Sequence, residues 1–269
     1  MSLFHYTDVN AVKAILEHGK MWLTDMRFLN DSEEMNHGVK LILDLINSRG
    51  VQERINNEYA VAATDFVTKG LSEHVNMLMN FNPVFVCSFS RAPDLLSQWR
   101  AYGNYAIEFC ADSMNHDLFE CLYEPGEKGR RAYDSTLTAL RGLGRSMRSN
   151  EGVPCEKGLE AYSDLIRSAA TLKHESFSEE QEVRMLVEKI ECHYPLLFRS
   201  RLGVLIPYIE VPIPFESIKA VHLGPMRDQD LAYSSMCMFI DEVIRLKGVA
   251  GFNSGRIDVT KSLTPFRNA

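Results

Sequence analysis

Four clusters of polar and aromatic residues interrupt an otherwise apolar pattern, and each contains side chains able to do chemistry. The first is His5-Tyr6-Thr7, at the end of the opening stretch SLFHY. An imidazole at a strand end can hold a hydroxyl, but the position also suits a core histidine, and Thr7 suits a helix cap. The second is Arg27 and Asn30 with Asp31 and Glu34. Asp31 and Glu34 have capping-box spacing, with Asp in place of the usual Ser or Thr, and capping leaves Arg27 and Asn30 unexplained. The third is Ser88, Ser90, Trp99 and Tyr102. Two small hydroxyls on a Val/Phe-rich run precede two aromatics one helical turn apart, hence on one face. Such a pair is either plain core or a stacking wall for a planar ring. The fourth is Glu182 with Arg184, on one side of an alternating stretch whose other side is Val183, Met185 and Val187. A solvated outer face explains that pair as well as a catalytic carboxylate does.

The elements that must position these residues can be read from periodicity. Strands are expected over 2–6, 21–24, 83–90, 105–110, 118–123, 182–189, 208–213, 218–223 and 256–259. A helix capped by Thr7 or Asp8 carries Val12, Ile15 and Leu16 and ends at Gly19. Another opens at Asp31, points Met35, Val39, Ile42 and Ile46 to a core and stops at Gly50. Residues 52–80 read as one long helix or a broken pair. Asp94 caps a short helix ended by Gly103. Residues 128–174 are mostly helical with a break near 150–154, and 228–247 form a last helix. Strands and helices intermix without a βαβ rhythm. This predicts an α+β fold with an antiparallel or mixed sheet, as a single domain over 1–269 with 128–174 as a helical insertion.

Composition narrows the class. The 269 residues are 45% hydrophobic and 24% charged, which excludes a disordered chain or a coiled-coil rod. A net charge of −7 argues against attachment to nucleic acid or anionic membrane by bulk charge, though not against a local basic groove. The six cysteines contain no CxxC, so neither disulfides nor a metal site is expected. The start MSLFHYTDVN lacks a signal-peptide pattern, and no apolar run approaches the roughly 20 residues of a membrane span, so a cytoplasmic protein is expected. GxxxxGK[ST], GxGxxG, HExxH and GxSxG are absent, which weakens P-loop, Rossmann, zincin and α/β-hydrolase readings.

FHYT, MWLTDMRFLNDSEE, VCSFS with LLSQWRAYG, KHESFSEEQEVRMLVE, IKAVHLGP and DVTKSLTPFR occur in the same order as in bacterial DUF2971 proteins, a family of uncharacterised function. The chain resembles that family over nearly its whole length, and is distantly similar to the ADP-ribosyltransferase-like superfamily. The second resemblance implies a split β core of two packed sheets with NAD in the cleft between them. It also implies a three-part site. His5 matches the early histidine, Ser88 or Ser90 with Tyr102 the middle element, and Glu182 the late glutamate. The sequence departs from the superfamily in lacking an STS triplet and in carrying its aromatics on a helix after the strand, so the stacking residue is Tyr102 or Trp99.

The resemblance assigns catalysis to Glu182, His5 and Tyr102, and NAD contact to His5, Tyr6, Thr7, Arg27, Asn30, Ser88, Ser90, Trp99, Tyr102 and Arg184. Glu182 would stabilise the cation formed as the nicotinamide–ribose bond breaks, His5 would fix a ribose hydroxyl, and Arg27 would pair with the pyrophosphate. Arg184 would orient Glu182 or neutralise it. The implied function is transfer of ADP-ribose from NAD to a protein, a nucleic-acid base or a small molecule, in bacterial toxin or phage-defence systems. The alternatives are NAD hydrolysis without transfer, and a non-catalytic nucleotide- or protein-binding module.

Overall fold

The first strand, β1 (Ser2–Thr7), sends Leu3 into a core, and the chain turns at once into α1 (Val9–His18). Asp8 caps that helix, its carboxylate accepting from the Ala11 N–H at 2.9 Å, so Thr7 is not the cap. Val12, Ile15 and Leu16 are buried, and Gly19, at φ 63°, closes the helix in the left-handed region that favours glycine. Then come β2 (Lys20–Asp25), α2 (Ser32–Ile46), α3 (Arg49–Gln52), α4 (Ala60–Asn76), β3 (Val84–Ser90), α5 (Leu96–Tyr102), β4 (Tyr105–Cys110) and β5 (Leu118–Glu120). The second half holds α6 (Pro125–Ser149), α7 (Glu156–Ala169), β6 (Glu182–Glu188), β7 (Leu197–Arg201), β8 (Val204–Pro212), β9 (Ile218–Leu223), α8 (Gln229–Leu246) and β10 (Asp258–Lys261). This computed structural model describes residues 1–29, 32–55, 59–76, 83–188, 193–247 and 257–264. Asn30, Asp31 and Cys192 lie outside them, as do the side chains of Glu34 and Met35.

The fold is α+β. Among the described residues ten strands form one hydrogen-bonded network, where two packed sheets were expected. The network divides at β3. One edge of β3 pairs with β6 along its whole length, from Val84↔Glu188 to Ser90↔Glu182, and β6 carries β5 beyond it. The other edge is shared: β1 meets it at Phe4↔Ser90, and β2 at Thr24↔Val86 and Asp25↔Phe85. Between those pairings Cys87 to Phe89 have no strand partner on that side, so the sheet opens there. From β1 the order continues through β4 and β9 to β10, and from β2 through β8 to β7. Among the described ladders β9–β10 is parallel and the others are antiparallel.

Alternation on β3 and β6 feeds two cores. Phe85, Cys87, Phe89, Val183 and Met185 join α1, α8 and the flanking strands on one face. Val84, Val86 and Leu186 face α2, α4, α6 and α7 on the other. Each fully buried large side chain in these layers contributes about 1.5–3 kcal/mol. The helical cover on the second face stops short of Ser88 and Ser90, and that gap is where the site lies.

Three local expectations change. Ser48 starts the short α3, so no helix runs through to Gly50. Asp94 does not cap α5. Leu95 takes the N-cap position, and the Asp94 carboxylate accepts from the Trp99 indole N–H at 2.9 Å and from the Ser262 hydroxyl. β7, an edge strand, lies where the sequence pattern predicts no element. Among the described residues no helix is long and apolar enough to cross a membrane, and no group of three or more His, Cys, Asp and Glu is placed to hold a metal ion. Cys87, Cys110, Cys121, Cys155 and Cys237 are free thiols.

Candidate functional site

Where β1 and β2 part over β3, a cleft of about 610 Å³ opens, inside the range typical of small-molecule sites. Its lining gathers His5, Tyr6, Thr7, Ser88, Ser90, Tyr102, Glu182 and Arg184, eight of the ten sequence-derived residues that the described chain covers. The cleft does not include the other two, Arg27 and Trp99.

His5 fills the opening left in the sheet. Its Nδ1–H donates to the Ser88 carbonyl at 2.9 Å, satisfying a backbone oxygen that lacks a strand partner on that edge. That bond leaves Nε2 as the acceptor nitrogen. Burial lowers the His5 pKa and the bond to Ser88 offsets only part of this, so the ring is neutral near pH 7.

Glu182 and Arg184 point to the same face, as alternation required, but that face is not a solvated exterior. They are 6% and 3% exposed. Arg184 clasps the carboxylate with Nε at 2.8 Å and Nη2 at 2.9 Å, while its Nη1 donates to the Ala170 carbonyl at 2.6 Å. Lys173 adds a third bond at 2.8 Å and reaches Glu180 at 2.5 Å. Two anions and two cations thus alternate in a row, of which Lys173, Glu182 and Arg184 are buried and Glu180 half-buried. Burial alone would raise the Glu182 pKa, but the charges and hydrogen bonds of Arg184 and Lys173 outweigh it and hold the group at about 2. Glu182 is therefore a permanent carboxylate, unfit as a general acid and suited to accepting hydrogen bonds or facing positive charge.

The aromatics divide cleanly. Trp99 is buried, packs edge-on against Tyr6 at 4.6 Å and belongs to the core. Tyr102, 46% exposed, turns to the cleft. The Tyr6 hydroxyl donates to the Ala92 carbonyl at 2.7 Å and accepts from the Leu95 N–H at 3.1 Å, which ties β1 to the loop before α5. Ser90 is likewise structural, its hydroxyl donating to the Glu180 carbonyl at 2.5 Å and accepting from the Ala92 N–H at 3.0 Å. Arg27 folds back onto the buried Asp25, with Nε at 3.0 Å and Nη2 at 2.5 Å from its carboxylate, and so is not available for a ligand's pyrophosphate.

Sequence reasoning missed Trp22, Lys173, Glu180, Arg199 and Arg201, all of which line the cleft. A signal for three of them existed. Met21 and Leu23 alternate into the core, which puts Trp22 on the opposite face, and an Arg-x-Arg step on a strand puts Arg199 and Arg201 on one side. No local pattern marks Lys173 as the partner of Glu182.

Residues 98–185 match the family model DUF2971, described as a protein of unknown function. This stretch belongs to DUF2971. It contains Tyr102, Lys173, Glu180, Glu182 and Arg184, while His5, Trp22 and Arg199 come from outside the DUF2971 match. No curated protein and no solved structure matches the chain.

Proposed function

We propose that the cleft binds NAD and that the protein cleaves the nicotinamide–ribose bond, passing ADP-ribose to an acceptor. The observation that supports this reading is the convergence of His5, Ser88, Tyr102 and Glu182, from four separate elements, on one cleft at the division of the sheet. The dividing sheet is also what favours an ADP-ribosyltransferase-like arrangement as the finer description of the fold. As nicotinamide leaves, positive charge builds on the ribose ring, the electronic problem met in glycoside hydrolysis. A carboxylate ionised at any pH above about 2 supplies fixed negative charge there without exchanging a proton. Neutral His5 offers Nε2 to a ribose hydroxyl. Tyr102 offers its ring to the nicotinamide.

A second reading is binding without turnover. It is favoured by the clasp on Glu182, because Arg184 and Lys173 oppose its field at a developing cation. NAD labelled in its adenine half separates the readings. Release of free nicotinamide with label on a protein, nucleic acid or small molecule supports transfer and names the acceptor class. Release with the label left in free ADP-ribose points to hydrolysis. Saturable NAD binding with no release leaves a binding module.

A further inference from the structure

We propose that the arm of the cleft built by Trp22, Arg199 and Arg201 is a subsite for a nucleoside 5′-phosphate, with the base on Trp22 and the phosphate on the two arginines. The proposal deepens the NAD reading by saying which half of a dinucleotide sits on which arm, and it rests on the cleft assigned there. Register separates the two arms. Glu182 pairs with Ser90, and Thr24, on the Trp22 arm, pairs with Val86. Ser90 is four residue steps beyond Val86 on extended β3, about 13 Å.

The charges on this arm are unlike those around Glu182. Lys173 and Arg184 are each bound to carboxylates, whereas among the described residues neither Arg199 nor Arg201 has a carboxylate partner. Arg199 is half-buried and sits 5.5 Å from the Trp22 ring centroid and 5.9 Å from that of Tyr208. Its Nη2 donates to Thr24 Oγ1 at 2.9 Å, and its Nε is buried with no hydrogen-bond partner. An unpaired buried donor on a guanidinium is unfavourable, and an anionic oxygen entering the cleft would satisfy it. Arg201, two residues along the same face, adds a second positive charge, a pairing of like charges that an anion relieves. Trp22 is 44% exposed although Met21 and Leu23 on either side are wholly buried. A large ring left half open beside the Arg199 guanidinium, its indole N–H donating to Glu210 at 3.2 Å, fits stacking of a base next to its phosphate.

Calorimetric titration with ADP, inorganic pyrophosphate and adenosine tests this. ADP and pyrophosphate should bind the wild type. Arg201→Ala, a change at an exposed position, should weaken both by about ten- to a hundred-fold. Trp22→Ala should weaken ADP by about tenfold and leave pyrophosphate unchanged. Arg199→Lys, which keeps the charge and loses the fork, should also weaken ADP, and melting temperatures establish that each variant is folded. Failure of ADP to bind, or wild-type ADP affinity in a folded Arg201→Ala protein, overturns the subsite. Nicotinamide release from NAD, assayed on the same samples, keeps the two readings apart. ADP binding that depends on Arg201 without any release upholds the subsite and removes the transferase. Release without Arg201-dependent ADP binding does the reverse.

Discussion

At Glu182 a buried carboxylate is held between two cations, and this sets its behaviour in acid. Its pKa is about 2 in the folded protein against an ordinary 4.5, so between those values the unfolded chain binds the extra proton. The group therefore stabilises the fold fully above about pH 4.5 and loses that contribution as pH falls toward 2, on the order of 3 kcal/mol in all. Glu182→Gln should lower stability at pH 7 by about 3 kcal/mol, because Arg184 and Lys173 keep their burial and lose a charge partner. Chemical denaturation at pH 7 and pH 3 should show the gap between the two proteins shrinking in acid; a constant gap, or none, contradicts the buried clasp. His5 gives a second test. Nitrogen NMR of the ring should find Nδ1 protonated and Nε2 bare, with the charged form appearing only below the ordinary 6.5. Titration at or above that value would mean the ring does not fill the opening in the sheet.

Individual elements place these residues, and Gly103 is where placement is tightest. It ends α5 at φ 126°, and a Cβ there would stand 2.6 Å from the Thr7 carbonyl oxygen. Gly103→Ala should destabilise the protein by about 1–3 kcal/mol and displace Tyr102, the preceding residue. The denaturation midpoint and NAD affinity should fall together; an unchanged midpoint would show that α5 does not press on β1 as described. Much of this scale was legible in the sequence. The Val/Phe run of β3 and the alternation of β6 announced themselves because both faces of each strand are buried or paired. β7 did not, because LFRSR is an edge strand whose exposed Phe198 and Ser200 and cleft-facing arginines leave no apolar period to read. Arg27 looked like a ligand residue for want of a visible partner, and its partner Asp25 was two residues away. Trp99 and Tyr102 shared a helix face in sequence, and only the fold could send one to the core and the other to the cleft.

In the whole molecule two cores share β3 and β6, and the cleft occupies the stretch that the helical cover leaves open. A net charge of −7 argued against attachment to nucleic acid or anionic membrane by bulk charge and left room for a local basic groove, and Arg199 and Arg201 are gathered at one arm of that cleft. Because Arg201 is exposed, ADP affinity should fall as salt rises through the range where the screening length drops to about 8 Å and below. Affinity indifferent to salt would place the phosphate elsewhere. The central claim, that this cleft breaks the nicotinamide–ribose bond, is tested most directly by free nicotinamide released from NAD. The assay compares wild type with Glu182→Gln at a temperature where both are folded. The wild type should release nicotinamide and the variant about 10²–10³ times more slowly. No release by the folded wild type, or equal release by the two, would contradict it.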